Sequence, residues 1–171
     1  MRLAIRLLVL TVLWGATVLA QSTVQPTLNG VWKVTEIVVT GAGAYSVSTP
    51  EPSLFMFAKT HYSLMWVPGD KPRTFYVAEV PTNEEKLAAF DSLTASAGTY
   101  EVSGSTVIFR PIVGKSPIFT SGAFIKEQFR IEGDTMTLSW KSSDANLRIG
   151  QQVVPSTRPV SETRMTLVRV E

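Results

Sequence analysis

From Thr27 onward, β-branched and aromatic residues come in short runs, and Gly, Pro, Ser or Asp closes nearly every run. A chain patterned this way pairs strands through tight turns and offers no long helix to pack against, so it is all-β. Val31 to Val39 is rich in β-branched residues and stops at Gly41-Ala42-Gly43. Leu54 to Phe57 and Tyr62 to Val67 flank the polar tip Lys59-Thr60-His61 as a hairpin, which Pro68-Gly69-Asp70 and Pro72 close. Gly98 to Val102 turns at Ser103-Gly104-Ser105 and returns through Thr106 to Arg110. Glu132-Gly133-Asp134 links Phe124 to Ile131 with Thr135 to Lys141, and Thr163 to Val170 forms the last strand. About eight strands, mostly hairpin-linked, predict an up-and-down antiparallel β-barrel. A two-sheet sandwich is the alternative that strand number alone does not separate from it.

Two segments depart from this pattern. Thr82 precedes Asn83-Glu84-Glu85, and Leu87, Ala88, Phe90 and Leu93 follow at helical spacing. Thr with Glu three residues later is a capping box, in which each side chain satisfies a free backbone N–H of the first turn. The expectation is one short helix from Asn83 to Ala95, ending before Gly98. Ser142 to Ser161 is polar and carries Pro155 and Pro159, and it reads as a long loop.

The first twenty residues follow a different logic. Arg2 and Arg6 precede an apolar stretch from Leu7 to Leu19, and Val18-Leu19-Ala20 supplies the residues a signal peptidase reads. That is the grammar of a secretory signal peptide over residues 1–20, cut after Ala20, leaving a domain over 21–171. A retained membrane anchor is the alternative, since the run approaches the length needed to span a bilayer. Secretion or a periplasmic location is expected. The chain has 16 Lys plus Arg against 14 Asp plus Glu, and losing Arg2 and Arg6 leaves 14 against 14. Neither the charge balance nor a basic cluster favours a nucleic-acid partner. With no Cys, neither disulfides nor a lipidated N-terminal Cys is open to this chain, and the core must stabilise the domain unaided.

The opening Leu28-Asn29-Gly30-Val31-Trp32 resembles the Gly-x-Trp signature of lipocalins. Further stretches are similar, in order, to the bacterial lipocalin-like domain family: Thr60-His61-Tyr62-Ser63, Glu84-Glu85-Lys86, Ala97 to Val102, Lys126 to Arg130 and Leu167 to Val170. The resemblance implies a barrel whose closed end is sealed by Trp32 under an Arg of the last strand, with Gly30 turning the chain into the floor. Arg169 matches by position, with Arg164 as substitute.

No enzyme signature is present, and no catalytic residue or cofactor is assigned. His61 is the only His, no Gly-x-Ser-x-Gly occurs, and one His without Cys does not make the usual zinc site. A small barrel either fills its interior or holds one small ligand. Alternation puts Tyr62 with Trp66, and Trp140 with Met136 and Leu138, on shared strand faces. Tyr62, Trp66, Tyr100, Phe129 and Trp140 are the candidate lining residues. Glu36, in phase with Trp32 and Val34, and Arg130, should its face turn inward, are the candidate polar handles. The function this suggests is binding of a small, mostly apolar molecule. The alternatives are a lipocalin-like isomerase or hydratase, and a cell-envelope interaction protein with a packed interior.

Overall fold

The computed structural model describes residues 27–171, so the leader lies outside the described residues. Eleven strands form one antiparallel sheet: β1 (Gly30–Gly41), β2 (Tyr45–Val47), β3 (Leu54–Phe57), β4 (His61–Trp66), β5 (Thr94–Ser103), β6 (Thr106–Gly114), β7 (Phe124–Glu132), β8 (Thr135–Lys141), β9 (Ala145–Ile149), β10 (Gln152–Pro155) and β11 (Ser161–Arg169). Following the pairings from β7 through β6, β5, β4, β3, β1, β11 and β8 leads back to β7. Eight strands therefore close a barrel. Within these eight the closure leaves no unpaired edge strand.

The two ends of the barrel differ. Trp32 pairs with Arg169 at one end of β1 and Gly41 with Ser161 at the other. Near the first end, Trp32, Val34, Phe109, Met136, Leu138 and Leu167 are almost wholly removed from water. Their inward positions repeat every second residue, as a sheet with one buried face requires. The second end carries the helix α1 (Asn83–Asp91) and the β9–β10 hairpin.

Two bulges set which side chains face inward. On β1 the register shifts between Val34, opposite Leu167, and Glu36, opposite Thr166. The extra residue, Thr35, donates its hydroxyl to the Thr166 carbonyl at 3.1 Å. An inserted residue reverses the facing of everything beyond it, so Ile37 and Val39 are buried rather than Glu36 and Val38. On β5 and β6 the register shifts between Ala97 and Gly98. A Cβ on Gly98 would lie 2.8 Å from Pro111 Cα, a separation only glycine avoids.

The helix has the expected capping box: Glu85 N–H donates to Thr82 Oγ1 at 3.2 Å and Thr82 N–H to Glu85 Oε2 at 2.8 Å. It ends at Asp91 rather than Ala95, because Thr94 to Ala97 pair with β4. The segment read as a loop, Ser142 to Ser161, contains the β9–β10 hairpin, and β9 continues the sheet from β7 through Phe124 and Ile125.

Candidate functional site

The closed end is built on Trp32, whose indole N–H donates to the Leu28 carbonyl at 2.8 Å. The Arg169 guanidinium lies 4.1 Å from the Trp32 ring centroid. It also donates to the backbone carbonyls of Asn29 and, at 3.3 Å, Thr27. One cation thus covers the indole face and ties down the chain entering β1. Gly30 has φ +130°, and a Cβ there would lie 2.5 Å from the Glu171 carbonyl oxygen and against Arg169. Arg164 instead stands exposed on the outer face of β11. Tyr100 belongs to this end too. Its ring meets Phe57 edge to face at 5.4 Å, and its hydroxyl donates to the Ala58 carbonyl at 2.8 Å. It does not line the cavity described next.

Above this packed layer the barrel holds a cavity of about 760 Å³. The interior is therefore not packed solid, and the volume falls within the range of about 300–1,000 Å³ common to small-molecule sites. Phe55, Leu64, Phe109, Ile125 and Leu147 contribute apolar wall. Trp66 from β4 and Trp140 from β8 both line it and meet edge to face with centroids 6.3 Å apart. Tyr62 stacks edge-on against Phe109 at 4.7 Å, and its hydroxyl lies 3.1 Å from Ser96 Oγ. Burial pushes the Tyr62 pKa up to about 12; the Ser96 hydrogen bond pulls it back, and the charge of Glu127 adds to the rise.

Glu127 is the buried carboxyl in the cavity lining. It occupies the inward phase of β7 between Ile125 and Phe129, and is 8% exposed. Its Oε2 has no hydrogen-bond partner among the described residues. Burial raises its pKa to about 8, because removal from water penalises the charged form. The carboxyl is then mostly neutral near pH 7, able to donate one hydrogen bond and accept others. The sequence carried a signal for it: in Phe124 to Glu132, Glu127 falls in phase with Ile125, Phe129 and Ile131.

The other expected handles lie elsewhere. Glu36 leaves the inward phase at the Thr35 bulge and accepts from the Thr166 hydroxyl at 3.1 Å on the outer face. Arg130 also faces outward, paired with Glu132 at 2.5 Å. The two do share a place, a shallow outer groove that Arg164 and Gln128 also line. Neither reaches the interior, since the apolar phase of β7 takes the inside. Phe129 is buried in the packed core and not at the cavity wall.

The rim comes from the segments least regular in sequence. Phe90 and Asp91 of α1 line it, with Lys115 after β6 and Arg158 after the β9–β10 hairpin. Lys115 Nζ donates to the Phe90 carbonyl at 2.5 Å and lies 4.3 Å from the Phe90 ring centroid. Arg158 stands 5.6 Å from the Phe119 ring. Among the described residues there is no group of three or more His, Asp or Glu side chains placed to hold a metal ion. No protein-family model matches this chain, and no curated protein matches it.

Proposed function

We propose that this chain is an exported, lipocalin-like binding protein whose barrel holds one small, mostly apolar molecule. The observation that carries the reading is the cavity of about 760 Å³, walled by aromatic and aliphatic side chains around a single buried carboxyl. A mostly apolar wall with one or two fixed polar groups is how such sites combine affinity with orientation. The Arg169 stack on Trp32 supports the lipocalin-like reading, since it closes the end opposite the cavity. Export rests on the leader grammar of residues 1–20. Among the described residues, no helix is long and apolar enough to cross a membrane.

The test is titration with Nile red, a neutral apolar dye. Saturable binding at one site, with a rise in melting temperature, is expected, because a ligand bound only to the native state stabilises it by mass action. Trp66→Ala and Trp140→Ala should each change the dye's affinity, whereas Lys33→Ala on the outer face should not. Failure of the folded protein to bind, or equal affinity in all four proteins, would contradict a site in the barrel.

One observation favours a second reading, an isomerase or hydratase. A carboxyl whose pKa is raised to about 8 inside a cavity suits general acid–base work at neutral pH. The two readings part on the fate of the bound molecule. A binding protein returns it unchanged, and an enzyme converts it.

A further inference from the structure

The reading of a binding cavity leaves open what kind of molecule enters, and Glu127 narrows the choice. Its side chain lines the aromatic-walled cavity and is 8% exposed, while its Oε2, out of reach of water, has no hydrogen-bond partner among the described residues. Such a group costs stability unless something pairs with it. Trp66, Trp140, Tyr62, Phe55 and Phe109 line the same space, and the faces of aromatic rings attract cations. A carboxylate head at this depth would meet the negative faces of the rings, with one hydrogen bond from the protonated carboxyl to set against its lost hydration. A neutral hydrocarbon would leave the Glu127 carboxyl without a partner. An ammonium group answers both features at once.

We propose that the cavity binds an apolar molecule bearing a basic nitrogen, whose ammonium N–H donates to Glu127 among the aromatic side chains. This rests on the binding reading above and names its ligand class. The ionisable side chains lining the cavity are Tyr62 and Glu127 within it and Asp91, Lys115, Lys141 and Arg158 at the rim. The rim cations oppose a cationic ligand, but they act from the solvent side. An interaction through water is roughly fourfold weaker than one at the effective dielectric of about 20 that describes protein sites. Salt screens it further. Lys115 is also held by the Phe90 carbonyl and Arg158 by the Phe119 ring. The buried carboxyl therefore outweighs them.

Binding has a proton signature. The neutral carboxyl must give up its proton to pair with an ammonium, so the complex releases close to one proton to the buffer near neutral pH. A neutral ligand accepts a hydrogen bond from the protonated carboxyl and releases none.

The experiment compares phenylbutylamine, phenylbutanol and phenylbutanoate, one skeleton with three head groups, by calorimetry at about pH 7 and about pH 9 in buffers of differing ionisation enthalpy. The amine's affinity should rise about tenfold from about pH 7 to about pH 9, as the cost of ionising the carboxyl disappears, while the alcohol's stays within about twofold. At about pH 7 the amine should release close to one proton. Glu127→Gln should bring amine and alcohol to within about twofold of each other and abolish the proton release. The proton count on the unmodified protein keeps the test decisive if that variant fails to fold. If the alcohol or the acid binds as well as the amine at about pH 9, or the amine binds at about pH 7 without proton release, the ligand class is wrong while the cavity stands. If Nile red binds but none of the three does, the ligand class is likewise overturned. If neither Nile red nor any of the three binds, the binding reading itself falls.

Discussion

Replacing Glu127 with glutamine keeps the side chain's size and removes its titration, so the pH dependence of stability isolates this one group. In the folded protein the carboxyl holds its proton up to about pH 8, whereas its ordinary value is 4.5. Between those values the unfolded chain has lost the proton and the folded chain keeps it, so raising the pH favours unfolding. The stability is fully present below the unfolded value and is lost as pH climbs through the folded one. At about 1.4 kcal/mol per pH unit, the loss across this window is on the order of 4–5 kcal/mol. The Glu127→Gln variant should lack this slope, carrying at most a pH-independent offset of about 1–3 kcal/mol from its own imperfectly paired amide. Urea unfolding followed by Trp fluorescence at several pH values from 5 to 8.5, on both proteins, measures the difference. The unmodified protein should weaken steadily relative to the variant as pH rises. Two stability profiles that run parallel across the window would refute the claim that this carboxyl is buried and unpaired.

Other expectations concern the closed end and the bulge. Arg169→Ala should cost about 1–2 kcal/mol through lost cation–π contact and stem packing. Arg164→Ala, exposed on the same strand, should be nearly silent, and equal urea midpoints would contradict the floor assignment. Gly30→Ala should destabilise by about 2 kcal/mol or more, since it forces a side chain into φ +130° against the Glu171 carbonyl; an unchanged melting temperature would refute that crowding. Glu36→Ala should leave Nile red affinity unchanged, because the Thr35 bulge turns Glu36 outward. A large loss of affinity would mean that the side chain reaches the interior.

The barrel was legible because its strands are punctuated. Each hairpin carries its own turn residues, and the apolar phase of β4 and β8 put Tyr62, Trp66 and Trp140 on the inside, where they line the cavity. What failed was phase wherever the backbone gains a residue. Nothing in Val34-Thr35-Glu36 announces a bulge, yet one extra residue sends Glu36 out and Ile37 in. Tyr100 holds the inward phase of β5, but its height in the barrel, fixed by strand stagger, puts it with Phe57 at the closed end. Height along a barrel axis leaves no mark in a two-residue period. Glu127 was legible by phase, and an ionisable residue in an apolar row was the stronger sign than Arg130 on the opposite face. The β9–β10 hairpin was hidden by its polar content, for it covers one end of the barrel with Ala145 and Leu147 as its buried residues.

The central claim is that the barrel encloses a ligand space between Trp66, Trp140 and Glu127, and a crystal structure of the protein with Nile red tests it most directly. The dye is expected inside the barrel, against Trp66 and Trp140 and above Tyr62, with the Trp32–Arg169 closure unchanged. A dye seated on the outer surface, with Trp66, Trp140 and Phe109 collapsed into a solid interior, would contradict it.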